Sequence, residues 1–191
     1  MRTIGQKGTV HMTFADVGES AGYSRGLPAA IFGSKDNLIV QAAKRITDIP
    51  YDRTLFAARP EDGVPEMLDM VGRWFNLMHN LTHEGVDEVR GLLVLLSVGM
   101  ISETASRFPE LAEVLRSIDD GSRARFRTFL ENGKARGQLR PDIDIEAEAI
   151  IILGAVRGIL WQWLISSHNF DLVQVGEAYT RQLRERLQTQ A

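Results

Sequence analysis

Residues 13–46 read TFADVGESAGYSRGLPAAIFGSKDNLIVQAAKRI. Their order of caps, apolar positions and glycines decides how the N-terminal part of the chain folds. Thr13 is a good N-cap, and Asp16 three residues later makes a capping-box arrangement with aspartate in place of glutamate. Phe14, Val17 and Ala21 then recur at i, i+3 and i+7 on one helical face. Gly22 ends that helix by permitting a left-handed turn. Ser24 caps a second short helix, Arg25 to Phe32, which Gly33 stops. Pro28 falls four residues into it, and its missing N–H loses one early hydrogen bond. Ser34 caps a third helix, from Lys35 to about Thr47, with Leu38, Ala42 and Ile46 on its inner face. Two short helices joined by a tight glycine-containing turn form a helix–turn–helix. In that motif the first helix braces on a DNA backbone and the second enters the major groove, N-terminus first.

Outward from the motif the pattern stays helical. Pro50 and Pro60 flank YDRTLFAAR, a connector with room for one short helix. Helices are predicted from Val64 to about Leu81, Val86 to Glu103, Pro109 to about Arg136, Ile145 to Ser167, and from an Asp171 cap to about Leu187. No alternating strand pattern, internal repeat or low-complexity segment interrupts them. The fold class is therefore all-α: a small helix–turn–helix domain over residues 1–47 and a larger helical domain over 48–191.

The chain has 191 residues and 44% apolar content, enough for a sizeable core. It contains no cysteine, which excludes disulfides, iron–sulfur clusters, a thiol nucleophile and cysteine-containing zinc sites, and fits a reducing cytosol. The first twelve residues carry no apolar segment of the signal-peptide kind. From Ala149 to Phe170 the only ionised residue is Arg157. An Arg at mid-span costs at least ~2.5 kcal/mol in a membrane, so this window reads as a fully buried helix of a soluble protein. Charge is divided unevenly. Residues 1–47 hold six basic and three acidic residues, net +3, and the remainder holds 16 basic and 22 acidic, net −6. A basic head on an acidic body suits a polyanion-binding module joined to a part with another task.

The same stretch, a Thr cap, an amphipathic helix ending Ala21-Gly22, Ser24 with a basic residue and Gly26, then Phe32, Gly33-Ser34-Lys35 and Leu38, resembles the DNA-binding domain of the tetracycline-repressor (TetR) family of bacterial regulators. RGQLRPDIDIEAEAIIILGAVRGILWQWL (136–164) and FDLVQVGEAYTRQLRERL (170–187) resemble that family's last two helices. Together the stretches cover about half the chain. The resemblance implies a homodimer that binds a palindromic operator and is released by a small molecule held in the helical body.

Two departures stand beside it. The family carries a complete helix before the motif, whereas here Met1 to about Lys7 precede a turn at Gly8, with Ile4 as the apolar residue. The expectation is that the start is internal to a longer gene product rather than that the head is weakened. The second helix is also unusually apolar, with Ala29, Ala30 and Ile31 where members often carry Tyr, His or other polar residues. Ser24, Lys35 and the backbone around Gly26 are expected on phosphates, and Leu27, Pro28, Ala29 and Ala30 on bases. Ala and Leu can touch thymine methyls. Arg25 alone suits a bidentate guanine contact, and it can equally hold a phosphate. Thr13, at the start of the motif, completes the DNA set. Ile31 and Phe32 are expected in the core of the head.

In the body, Ile145 to Ser167 presents two apolar stripes: Ile150, Ile151, Gly154, Gly158 and Trp161, and Ile152, Val156, Leu160, Trp163 and Leu164. A helix apolar on two faces must bury both. One stripe is expected in the core and the other, Ile150, Gly154, Gly158 and Trp161 with Leu183 of the last helix, at the dimer interface. Trp74, Met78, Leu95, Met100, Phe126 and Trp161 are expected to line a lipophilic ligand site, with His79 as a polar contact. His79 and His83 lie four apart but lack a convincing third ligand, so no metal and no cofactor are expected. No phosphate loop or catalytic triad is present, and the chain is not expected to be an enzyme. The competing reading is a helical protein that binds a small molecule or metal and has lost DNA binding.

Overall fold

The computed structural model describes residues 2–44, 59, 61–83, 91, 109–166 and 169–188. Among these, all regular structure is helical. The elements are α1 (Arg2–His11), α2 (Phe14–Ser20), α3 (Leu27–Phe32), α4 (Lys35–Lys44), α5 (Val64–His83), α6 (Pro109–Ala135), α7 (Ile145–Ile165) and α8 (Leu172–Leu187). The predicted helix over 86–103 and the connector over 50–60 fall outside the described residues, apart from isolated positions. The chain forms two compact units, one of Met1–Ile49 with Leu81–Asp119, the other of Pro50–Asn80 with Asp120–Ala191.

In the first unit, α1 is broken at Gly8, whose φ of 69° no other residue type adopts easily. The break is the turn read at that position. Ile4 before it and Met12 after it are both buried against Leu38, Ile39, Val40 and Ala43 of α4 and Leu111 of α6. Phe14, Val17 and Phe32 pack on the same cluster, so the four short helices α1 to α4 share one core. Leu111, Val114 and Leu115 extend it, and Lys44 reaches Glu110 at 2.9 Å.

The second unit is built on α5, residues 120–135 of α6, α7 and α8. Periodicity places Met67, Val71, Trp74, Phe75 and Met78 on one face of α5; all are buried except Trp74, which is half-buried, and Leu68 is buried beside them. Phe126, Phe129 and Leu130 of α6 and Ile152, Val156, Leu160 and Trp163 of α7 are buried too. Trp163 satisfies its indole N–H on the Phe170 carbonyl at 3.0 Å. Asp144 and Asp171 cap α7 and α8, each carboxylate accepting from two backbone N–H groups. α8 approaches α5 at Gly176, where a Cβ would sit 2.5 Å from the Phe75 ring. α6 ends with Gly137 N donating to Lys134 O and Gln138 N to Gly133 O, a Schellman closure.

α7 is long and apolar enough to cross a membrane by length and composition alone. It is not buried all round within the chain, contrary to the reading of residues 149–170 as a fully buried helix. Its Ile152 stripe lies in the core, whereas Ile150, Ile151 and Trp161 are 54%, 47% and 46% exposed. One chain supplies neighbours for only one of its two apolar faces.

Candidate nucleic-acid interface

The helix–turn–helix is built by local chemistry. Thr13 Oγ1 accepts from the Asp16 N–H at 3.2 Å, and the Asp16 carboxylate accepts from the Thr13 N–H at 2.8 Å, so the capping box forms in full. Lys7 Nζ lies 2.6 Å from the same carboxylate. These donors, Lys7 first, hold the Asp16 carboxyl at about 2. α2 closes on Gly22, φ 74°, with Gly22 N donating to Glu19 O at 3.1 Å and Tyr23 N to Gly18 O at 2.8 Å.

The turn then brings two backbones unusually close. A Cβ at Gly18 would lie 2.5 Å from the Ser24 carbonyl oxygen. Only glycine lets residues 24–26 cross α2 at this distance. The requirement was not read from the sequence, where Gly18 looks like an ordinary weak point in a helix.

α3 begins two residues later than its Ser24 cap suggested. Ser24 O accepts from Leu27 N at 3.1 Å in a turn, and Gly26 is the N-cap. Pro28 is therefore within the first turn, where the N–H it lacks has no intrahelical partner, and the predicted hydrogen-bond loss does not occur. Pro28 is also buried, so it does not face bases as expected; its ring packs inside the head. Ile31 departs in the opposite direction. Expected in the core, it is 63% exposed, because the later helix start turns Phe32 inward and leaves Ile31 on the outer face. Leu27, Ala29 and Ala30 are exposed as a DNA-facing set requires.

The polar residues assigned to DNA are engaged within the chain. The Arg25 guanidinium pairs with Glu19 across the turn. Lys35, expected on phosphate, donates to the Val10 carbonyl at 2.6 Å. Thr13 is committed to the capping box, and Ser24 and Gly26 form the exposed turn. Val10 and Tyr23, not singled out from the sequence, are exposed apolar positions of the same unit. Glu19 was missed because its partner lies across a turn, six residues on.

In the second unit, Met78 and Phe126 are buried in the core and Trp74 is half-buried, its ring 5.2 Å from Phe75. His79 lies 6.1 Å from Trp163. Leu95 and Met100 are outside the described residues. Trp161 belongs with the exposed stripe rather than a buried ligand wall, because it falls three turns beyond Ile150 on the same face. Gly154 and Gly158 have nothing within 4 Å of an added Cβ, so that face is open within the chain. Leu183, expected at the interface, is 1% exposed instead, drawn into the core with Leu172 and Leu187. Glu148, also buried, pairs with Arg186, and burial raises its carboxyl while Arg186 opposes the shift. The Tyr179 hydroxyl is buried without a hydrogen bond among the described residues, and burial pushes its phenol up to about 12. No group of three metal-ligating side chains occurs among the described residues.

Residues 100–188 match the TetR C-terminal family model described as the BetI-type transcriptional repressor, C-terminal. The family model, the curated relatives and the solved structures all indicate a TetR-family transcriptional regulator. It is 26% identical over 172 residues to the HTH-type transcriptional regulator TtgR of Pseudomonas putida, covering 90% of this chain and 80% of that one. Two solved structures share the fold. The complex of SmeT, repressor of a Stenotrophomonas maltophilia multidrug efflux pump, with triclosan superposes with a TM-score of 0.75 at 17% identity, covering 98% of this chain and 87% of SmeT. A TetR transcriptional regulator from Chloroflexus aurantiacus gives 0.71 at 18% identity, covering 99% and 92%. The TetR reading of the two sequence stretches thus holds, including its all-α architecture with an N-terminal helix–turn–helix.

Proposed function

We propose that this TetR-family protein is a homodimeric cytosolic repressor that binds a palindromic operator through residues 13–32 and is released by a small lipophilic effector. The observation that carries the reading is the pairing of an intact helix–turn–helix with an outward-facing α3. The head is residues 1–47 and the body 48–191. Thr13, Ser24, Arg25, Gly26 and Lys35 position the head on phosphates, Arg25 and Lys35 after exchanging their partners within the chain. Leu27, Ala29 and Ala30, joined by Ile31, face the bases. Two heads are held by the exposed α7 stripe, Ile150, Gly154, Gly158 and Trp161. Gly154 and Gly158 have open space into which a partner backbone fits.

The effector site is assigned to the body around Trp74, Met78, His79 and Phe126. Tyr179 is its polar anchor, since its buried hydroxyl makes no hydrogen bond among the described residues. That SmeT forms a complex with triclosan supports a lipophilic ligand. Release follows from population shift: the effector favours a dimer whose heads no longer match half-sites about 34–36 Å apart. Roughly 5 kcal/mol of differential affinity carries the population almost completely from one state to the other.

Fluorescence anisotropy of the full chain against duplex DNA from upstream of its own gene, across a salt series, tests the reading. The expected result is two protomers per duplex, affinity falling linearly in log–log form as salt rises, and release by triclosan used as a lipophilic probe. A folded dimer that binds neither this duplex nor any selected from a random library sinks the regulator reading and favours a ligand-binding protein without DNA.

A further inference from the structure

We infer that α3 recognises its half-site through the C5 methyl groups of thymines, contacted by Leu27, Ala30 and Ile31, and not through hydrogen bonds to base edges. This rests on the DNA-binding reading above and specifies the chemistry of the sequence read. From Gly26 to Gly33 no side chain carries a hydrogen-bond donor or acceptor. The N–H groups of Leu27, Ala30 and Gly33 donate to the carbonyls of Ser24, Gly26 and Ala29. Every side chain that α3 presents to a groove meets it with carbon. The three residues at i, i+3 and i+4 share one face, and all are exposed, Ile31 by 63%. Buried Pro28 and inward Phe32 fix that face by occupying the opposite side.

The major groove offers one apolar group, the thymine methyl, and it distinguishes thymine from the other three bases. An apolar stripe on the second helix of a helix–turn–helix is complementary to thymines and to no polar base edge. The adjacent side chain able to hydrogen-bond a base, Arg25, lies ahead of the helix and pairs with Glu19. Its place at the turn suits phosphate or a flanking guanine, outside the thymine set. Half-sites are therefore defined by T positions on either strand.

The test starts with duplexes selected from a random library by the full-length chain. The strongest is resynthesised with deoxyuridine replacing individual half-site thymines, which removes the methyl and keeps every hydrogen-bonding group. It is also made with 7-deazaguanine replacing half-site guanines. Each contacted methyl lost is expected to weaken binding about fourfold, and symmetric loss from both half-sites multiplies the effect. Ile31→Ala should narrow the thymine-over-uracil ratio toward one at its own positions. Its folding is checked by thermal melting, and the exposed site makes it a benign change. Ile31→Asn serves as a second variant. Binding that is indifferent to uracil but weakened tenfold or more by 7-deazaguanine overturns the inference while leaving DNA binding intact. Failure to select any duplex overturns the DNA-binding reading as well, so the two failures are distinguishable.

Discussion

Replacing Trp161 with alanine removes the largest side chain of the exposed α7 stripe. The residue is 46% exposed in the single chain. A tryptophan carries about 150–250 Å² of buriable surface, so roughly 100 Å² is left for a partner. At about 25 cal/mol per Å² that is ~2.5 kcal/mol per protomer. A two-fold interface counts it twice, about 5 kcal/mol, less the share that the alanine methyl retains. The dimer dissociation constant should rise on the order of a thousandfold. Ile150→Ala, from a side chain 54% exposed, should cost about 1 kcal/mol per protomer and a ten- to thirtyfold rise. Sedimentation equilibrium over a concentration series measures both, and urea unfolding of the same samples reports the fold. Leu183→Ala is the contrast: fully buried, it should cost about 2–5 kcal/mol of folding stability with no selective effect on association. A Trp161→Ala protein that folds and dimerises within tenfold of the parent would refute the assignment of this stripe to the interface.

Three further outcomes follow from the head. Gly18→Ala drives a methyl against the Ser24 carbonyl, so α3 should shift and DNA affinity should fall at least tenfold, read by anisotropy, while the helical content of the body is retained. Glu19→Gln removes the Arg25 counter-charge, so binding to random-sequence DNA should tighten, whereas Arg25→Gln should flatten the log–log salt slope by about 0.9 per head. An unchanged slope would mean that Arg25 makes no phosphate contact. The Asp16 carboxyl, ordinarily at 3.8, is held at about 2 in the folded head, so the unfolded chain takes up its proton first. Its stabilising contribution is complete above about pH 4 and is lost as pH falls through about 2. Asp16→Asn should flatten that part of the stability–pH curve measured by circular dichroism, and an acid limb identical to the parent's would contradict the ion-paired capping box.

What could be read in the sequence was whatever depends on neighbours along one helix. Thr13 and Asp16 are three residues apart, close enough to cap whatever the rest of the chain does. Gly22 ends α2 by its own conformational freedom. The two stripes of α7 follow from a period of about 3.6 residues, and the structure buries one and leaves the other open. The TetR relationship was legible for the same reason, since it rests on an ordered series of caps and turns.

Tertiary structure decided what depends on which surface comes next. The Ser24 cap pointed to a helix from Arg25, whereas in the structure residues 24–26 cross Gly18 and the helix starts at Leu27. That choice of register buried Pro28 and exposed Ile31, reversing two assignments at once. Arg25 found Glu19, and Lys35 found the Val10 carbonyl, through folds of the backbone that no spacing rule encodes. Leu183 and Trp161 are both large and apolar, the first on an amphipathic helix and the second on a helix apolar on two faces. Only the packing of α8 within the body settled that the first belongs to the core and the second to the surface. Periodicity says that a face is apolar; the neighbour that covers it comes from elsewhere in the chain or from another chain, and that information is not local.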